Sequence, residues 1–493
     1  TIMAKKDIEA IYSLSPMQQG MLFHSLYAPE AGMYVEQMTC IIEGGLNVAA
    51  FERAWQMAVE RHTSLRTSFT WKRLDKMLQV VYRHADLRIE QHDWRALLAD
   101  EQEKQLRTFL QAQRAQGFDL SRAPLLKLAL MQITDDACYF VWCHHHLLLD
   151  GWSLPLILKE VLALYEANCQ GQAIQLESAK PYRNYINWLE KQDLSQAESF
   201  WRETLKGFTA PTPLVVDHRT ASETESAELE TRLPTEATVA LHALARQNQL
   251  TLNTLVQGAW ALLLSRYSGE GDVVFGATVS GRPAELAGAE TMVGLFINTL
   301  PVRVRVPPGA SLTSWLKDLQ VHQVELRQFE YSPLVQIQEW SEVPRGPSTS
   351  SGQAQPLFES ILVFENYPVD ASLRELKGSL KFQDIHSIEQ TNYPLTVVSG
   401  PGAQLPLKIA YDGNRFSADT IRRMLGHLQT LLEGMAASPD GRLGSLPLLA
   451  QAEQHQLLIE WNDTAAPYLA HKCTHQLFED QVERTPDALA VVF

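Results

Sequence analysis

Apolar positions in the first third of this chain recur at helical spacing, then at strand spacing, then at helical spacing again. Val48, Phe51, Ala54, Trp55, Ala58 and Val59 fall three and four apart, which predicts a helix with one buried face. Leu65–Phe69 and Met77–Tyr82 read as strands, Glu101–Arg114 as a polar helix, and Leu125–Ile133 as the start of a hydrophobic strand region. Cys138–His146 reads as the next strand and ends in three histidines, and the segment from Trp152 to Asn168 is helical again. The rhythm returns later: Leu252, Leu255, Val256, Ala259, Leu262 and Leu263 give one helical face, and Asp272–Val279 reads as a strand ending in Ser280-Gly281-Arg282. A helix followed by a strand in both halves is compatible with a duplicated α/β plan. Helical material from Tyr185 to Leu205, with Trp188 and Trp201, is expected to bridge the halves. Phe208–Val216 is a proline-interrupted connection, and Arg345–Gly352 has the composition of a flexible loop. Ala490–Phe493 reads as a strand cut from a longer polypeptide, so an excised piece of one is expected.

Length and composition narrow the picture. At 493 residues the chain exceeds one ordinary core, and 45% hydrophobic residues can fill two. A formal charge of -15 argues against general nucleic-acid binding, which favours basic surfaces. The five cysteines, Cys40, Cys138, Cys143, Cys169 and Cys473, are scattered and form no Cys-x-x-Cys pair, so reduced thiols are expected. No apolar run approaches the roughly 18 residues that would suggest a membrane span, and the first residues carry no apolar signal core. A cytoplasmic location, without membrane association, is the expectation.

The chemistry concentrates in His145-His146-Leu147-Leu148-Leu149-Asp150-Gly151. Strand alternation sends His145 and His146 to opposite faces and lets His144 and His146 share one. One imidazole can then work in a cavity while its neighbour supports the scaffold. Gly151 permits a tight turn that brings the Asp150 carboxylate back toward the segment. Zinc would need further ligands at set spacing, and none stands nearby in the sequence. Ser153 lacks the glycine elbow and residue order of a serine hydrolase. The turn Gly269-Glu270-Gly271-Asp272 lacks the spacing and the lysine of a phosphate-binding loop.

Taken with other blocks, this motif resembles the condensation domain of nonribosomal peptide synthetases. Ser-Pro-Met-Gln-Gln-Gly-Met-Leu-Phe-His at 15–24 is similar to the family's opening motif, and Arg61-His62-Thr63-Ser64-Leu65-Arg66-Thr67-Ser68-Phe69 to its second. Residues 145–151 match the active-site signature, Tyr182–Trp188 resembles the fourth block and Val293–Thr299 the fifth. Agreement runs from about Ile11 to Leu449. The wording of 15–24, Phe69-Thr70-Trp71, Gly294–Pro301 and Tyr331–Gln336 resembles the subclass that takes a D-configured donor and an L-aminoacyl acceptor. Thr474–Asp487 resembles the opening of an adenylation domain.

The resemblance implies an α/β fold of two chloramphenicol-acetyltransferase-like lobes, a V-shaped pseudo-dimer with a central tunnel. It implies a first lobe at 11–176, a second at 177–449 that includes the interlobe helix, and a linker with a truncated adenylation start at 450–493. No intrinsic cofactor or metal is implied. The substrates arrive as thioesters on the phosphopantetheine arms of upstream and downstream peptidyl carrier proteins, with a downstream adenylation domain as a further partner. His146 is then the functional imidazole, able to position the amine, take a proton or stabilise the tetrahedral intermediate. Gly151 is conformational, and its amide could line the reaction centre. His145 supports the backbone, and Asp150 forms a supporting salt bridge for which Arg282 is the preferred partner and Arg61 or Arg66 are other candidates from the first lobe. Tyr12, Ser15, Ser153 and Asn298 are candidates for the tunnel wall. The extra His144 leaves open a β-modifying or β-lactam-forming variant of the reaction, and a non-catalytic carrier-docking module is the alternative outside enzymes.

Overall fold

The spacing of residues 48–59 is realised in a helix at Val48–Arg61, started by Asn47, whose side chain accepts from the Ala50 amide at 3.1 Å. Its buried residues Phe51, Ala54, Trp55 and Ala58 face a sheet that offers Phe140 and Trp142, with the Trp55 and Trp142 ring centroids 4.9 Å apart. The computed structural model describes residues 7–27, 32–71, 76–214, 226–344, 347–348, 353–354, 356–366, 378–465 and 471–491. Contacts divide the chain into two compact units, Thr1–Leu448 and Leu449–Phe493.

The first unit begins with β1 (Ile8–Ser13), α1 (Pro16–Tyr27), β2 (Val35–Glu43), α2 (Val48–Arg61), β3 (Thr67–Thr70), β4 (Leu78–Tyr82), β5 (Ile89–Asp93), α3 (Ala99–Gln116), β6 (Leu126–Gln132), β7 (Ala137–His145) and α4 (Ser153–Gln170). Two short helices follow, α5 (Arg183–Leu189) and α6 (Leu194–Thr204), broken where Asp193 turns to cap the second. The remainder is β8 (Ser226–Arg232), α7 (Thr235–Asn248), α8 (Leu252–Ser268), β9 (Asp272–Val279), β10 (Asn298–Arg305), α9 (Leu312–Arg327), α10 (Leu334–Trp340), the two-residue strands β11 (Pro347–Ser348) and β12 (Gln353–Ala354), β13 (Ser360–Phe364), β14 (Lys381–Ile388), β15 (Leu395–Ser399), β16 (Pro406–Asp412) and a final helix, α11 (Ala418–Ala437).

Two large sheets organise these elements. A five-stranded sheet of order β14-β2-β7-β6-β5 carries the histidines, and a six-stranded sheet of order β10-β9-β13-β15-β16-β8 forms the second lobe. In the first, one face of β7 (Phe140, Trp142) packs with α2 and α4, while the other (Val141, Cys143) packs with Leu110 of α3. In the second, α7, α8, α9 and α11 share one core with the sheet, including Trp260, Phe275 and Leu428. The outer strand of the first sheet, β14, comes from far beyond residue 176 and pairs with β2 from Lys381↔Glu43 to Ile388↔Gln37. The lobes therefore exchange chain, which the boundary expected at 176 does not include.

Three local expectations change. Strand β3 starts at Thr67, because Thr63–Arg66 forms a single 3-10 turn that lets Ser64 Oγ donate to the Val293 carbonyl at 2.6 Å. Strand β7 ends at His145, yet the His146 amide still donates to the Tyr34 carbonyl at 2.8 Å, so alternation carries one residue further. In the second unit, helices at Gln451–His455 and Thr474–Arg484 bury no residue. Ala490 and Val491 there are irregular, with no strand to pair with among the described residues, and residues 492–493 lie outside the described residues, as do 215–216 and most of 345–352.

Candidate active site

The end of β7 fixes two adjacent imidazoles in opposite tautomers. The Leu147 amide donates to His145 Nδ1 at 3.2 Å, so the proton of His145 sits on Nε2, 3.3 Å from Ser25 Oγ, which donates in turn to the Met21 carbonyl. His146 Nδ1 lies 2.6 Å from the Leu149 carbonyl, which can only accept. The proton of His146 is therefore on Nδ1, and Nε2 carries a free lone pair that no described residue hydrogen-bonds. Burial, with a smaller push from His146, drives His145 down to about 3, so it stays neutral. Burial also holds His144 well below the ordinary imidazole range, with smaller contributions from His146 and His145.

Asp150 anchors the turn to the second lobe. Its Oδ1 accepts from the Ser153 amide at 3.0 Å, Ser153 Oγ at 2.8 Å and Arg282 Nη2 at 3.0 Å; its Oδ2 accepts from the Phe296 amide at 3.0 Å. The Asp150 side chain is 0% exposed and that of Arg282 8%. Arg282 also donates to the carbonyls of Ala289 and Met292 and lies 4.1 Å over the Phe296 ring. A buried pair this well satisfied sets geometry more than it adds stability. Gly294 is held from both sides of its peptide: its carbonyl accepts from the Asp150 amide at 3.1 Å, and its amide donates to Ser153 Oγ at 3.1 Å.

The other blocks meet at the same place. Ser64 binds the Val293 carbonyl, and the Tyr182 hydroxyl donates to that of Leu295. Gly294 lies against the Tyr182 ring so closely that a Cβ would come within 2.2 Å of it. Gly281 has φ +60, and a Cβ there would meet the Phe296 carbonyl oxygen at 1.9 Å. Residues 293–296 are thus a backbone seam on which side chains from both lobes close.

An open cavity of about 2510 Å³ lies beside this seam. His144, His146 and Gly151 line it from the first lobe, and Arg282, Asn298 and Glu330 from the second. His146 Nε2 is a base without a partner in a cavity wall, suited to accept hydrogen from an incoming amine. Among the described residues, no group of three or more His, Cys, Asp or Glu side chains could hold a metal ion, and no helix is long and apolar enough to cross a membrane.

A family model described as the condensation domain matches residues 8–458. The chain belongs to the condensation-domain family. It is an enzyme of the condensation-domain type. Among curated proteins it is 48% identical over 99% of its length to a linear gramicidin synthase of Brevibacillus parabrevis, and 38% identical over 99% to bacitracin synthase 3 of Bacillus licheniformis. It spans 6% and 8% of those proteins respectively. Among solved structures, the starter condensation domain of rhizomide synthetase superposes with a TM-score of 0.75 at 21% identity, covering 89% of this chain and 98% of that one. A four-domain nonribosomal peptide synthetase superposes at 0.78 and 18% identity, covering 97% and 37%. The architecture is that of the condensation domain, two chloramphenicol-acetyltransferase-like lobes paired as a pseudo-dimer.

The condensation domain places the sequence candidates unevenly. Arg61 does not reach Asp150; its Nε donates to Glu160 of α4 at 3.1 Å, beside His62. Arg66 pairs with Glu9 at 2.6 Å and donates to the Tyr82 carbonyl. Both sit on the first lobe's own scaffold, and the cross-lobe distance to Asp150 is closed by Arg282. Of the four residues considered for the tunnel wall, Asn298 lines the cavity, its Nδ2 donating to the carbonyls of Glu330 and Ser332 at 2.8 Å. Ser15 is buried, with its Oγ accepting from the Gln18 amide, and Tyr12 is buried with its hydroxyl unpartnered among the described residues. Ser153 is buried in the seam. These three lie outside the cavity lining because their side chains are spent on packing and on holding backbone. Sequence reasoning did not single out Tyr182, Gly294 and Phe296 as parts of the site, although all three fall inside its fourth and fifth blocks.

Proposed function

We propose that the acceptor amine attacks the donor thioester within this cavity, with His146 Nε2 receiving the hydrogen of the amine as the new C–N bond forms. The C–S bond then breaks, and the proton passes to the departing thiolate of the upstream arm, so His146 ends as it began. The single observation that carries this reading is the 2.6 Å contact from His146 Nδ1 to the Leu149 carbonyl, which commits Nε2 to be the acceptor. Gly151 lines the centre, and Asp150 with Arg282 holds the turn in register without touching substrate. Upstream and downstream carrier proteins deliver the two arms in the cytoplasm.

The donor is D-configured and the acceptor L-configured, a reading supported by the wording of 15–24, Gly294–Pro301 and Tyr331–Gln336. The tail at 450–493 opens a downstream adenylation domain, a reading supported by Thr474–Asp487 and by the end of the family match at residue 458. The test loads an upstream carrier with matched D- and L-ended donors and a downstream carrier with an L-amino acid, and follows transfer by intact-protein mass spectrometry. At least about tenfold faster product from the D donor, equivalent to ~1.4 kcal/mol in the transition state, is expected. Equal rates would sink the stereochemical assignment. His144 stands in the same wall as His146, with Nδ1 unpartnered among the described residues. A product lighter by a β-leaving group would therefore favour the β-modifying chemistry.

A further inference from the structure

Besides Ser25 on His145 and Ser153 on Asp150, the turn that carries His146 is gripped from the first lobe by Gln18 of α1, also outside the signature. Its Oε1 accepts from the Ser15 amide at 2.9 Å and from Gln79 Nε2 at 3.1 Å, and both partners can only donate there. That fixes the orientation of the carboxamide, and its Nε2 donates to the Leu147 carbonyl at 3.0 Å. Gln79 of β4 is held in turn, because its Nε2 also donates to the Ser13 carbonyl at 2.8 Å. Gln18 is 2% exposed, Gln79 1% and Leu147 0%, so water cannot substitute for any of these contacts. The small sheet of order β1-β4-β3 is thereby tied through two amides to the loop beside it.

The amides from Leu147 to Asp150 find partners in the turn itself or in its neighbours. The Leu147 amide goes to His145 Nδ1, the Leu148 amide to the His145 carbonyl at 3.0 Å, the Leu149 amide to the His146 carbonyl at 3.3 Å, and the Asp150 amide to Gly294. The Leu147 carbonyl has no such neighbour among the described residues. If Gln18 no longer donates, a fully buried carbonyl is left without a hydrogen, and the Leu147–Leu148 peptide tilts to find one. The next carbonyl but one is that of Leu149, which holds the Nδ1 proton of His146. Tilting the first therefore turns the imidazole.

We propose that Gln18 is a positioning residue for His146, acting through the Leu147 carbonyl and never on the substrate. The proposal rests on the reading of His146 as the functional imidazole. Its test compares the native chain with Gln18→Leu, Gln18→Glu and His146→Ala in single-turnover transfer between loaded carriers, with thermal unfolding measured in parallel. Gln18→Leu is expected to lower kcat about 10- to 100-fold, as small misplacements of a reacting group do, with KM for the acceptor carrier changed less than about twofold. In Gln18→Glu one oxygen replaces Oε1, and the other can donate to the Leu147 carbonyl only when protonated. Its activity relative to the native chain therefore rises as pH falls from 8 to 6, because burial raises the pKa of the introduced carboxyl into that range. A lower melting temperature with unchanged kcat per folded molecule would reduce Gln18 to scaffold and overturn the proposal, and so would a ratio for Gln18→Glu that is flat with pH. If Gln18→Leu does not fold, the Gln18→Glu profile alone decides. Full activity in His146→Ala would remove the underlying reading instead.

Discussion

Asp150→Asn removes one charge from a fully buried side chain and keeps its shape. The carboxylate takes three hydrogen bonds at Oδ1 and two at Oδ2, all from donors. An amide must place its NH2 group against one of these sets. The less costly choice is the Oδ2 side, where the buried Phe296 amide then loses its acceptor at about 1–3 kcal/mol. Arg282 keeps its bonds to Ala289 and Met292 but loses its counter-ion, and breaking a buried pair from one side costs about 3–5 kcal/mol. The two costs overlap, since both arise from the same replaced carboxylate, so a loss of about 3–5 kcal/mol is expected in urea unfolding. Transfer should fall further than the folded fraction does, about 10- to 100-fold in kcat, because Leu149 precedes Asp150 and its carbonyl orients His146. A double-mutant cycle with Arg282→Gln should return a coupling above about 1.5 kcal/mol. Stability within about 1 kcal/mol of the native chain, or additive single effects, would refute the view that this pair sets the turn.

Two further outcomes follow from the same geometry. His145 titrates near 3 in the folded chain against 6.5 for the ordinary imidazole, so the unfolded chain binds a proton that the folded one does not between those values. Stability is complete above pH 6.5 and falls as pH drops below it, by up to ~1.4 kcal/mol per unit from this residue. Urea midpoints measured from pH 8 to 5 should therefore show a slope for the native chain that becomes shallower by about one proton in His145→Gln; equal slopes would contradict it. Gly294→Ala puts a Cβ 2.2 Å from the ring of Tyr182, which is itself 2% exposed and has nowhere to retreat. The loss should be at least about 2 kcal/mol in the same assay, and native stability would contradict the packing described for the seam.

Much of this was legible in the residues themselves. Period-3.6 spacing at Val48–Val59 and Leu252–Leu263 marked helices that bury most of those positions, and Asp272–Val279 is a strand over that full span. The alternation of His144, His145 and His146 gave their facing: the first and third line the cavity, and the second turns to Ser25. Long-range partners were less legible, because periodicity names an element's face and not what covers it. Arg282 was the preferred mate for Asp150, but Arg61 and Arg66 matched it in charge, and it is the fold that brings Arg282 across. The exchange of β14 had no signal either, since Lys381–Ile388 looks like any half-exposed edge strand. The two-residue shift at Leu65 arose because Ser64 is drawn to Val293, a contact 229 residues away in sequence.

The most direct measurement is single-turnover transfer between loaded carriers by the native chain and His146→Ala, with both proteins shown to unfold at the same urea concentration. The account predicts rapid peptide transfer by the native chain and a loss of about 100-fold or more in the variant, the scale of removing a positioned base. Transfer by His146→Ala at the native rate would contradict it, whatever the effect of any other substitution.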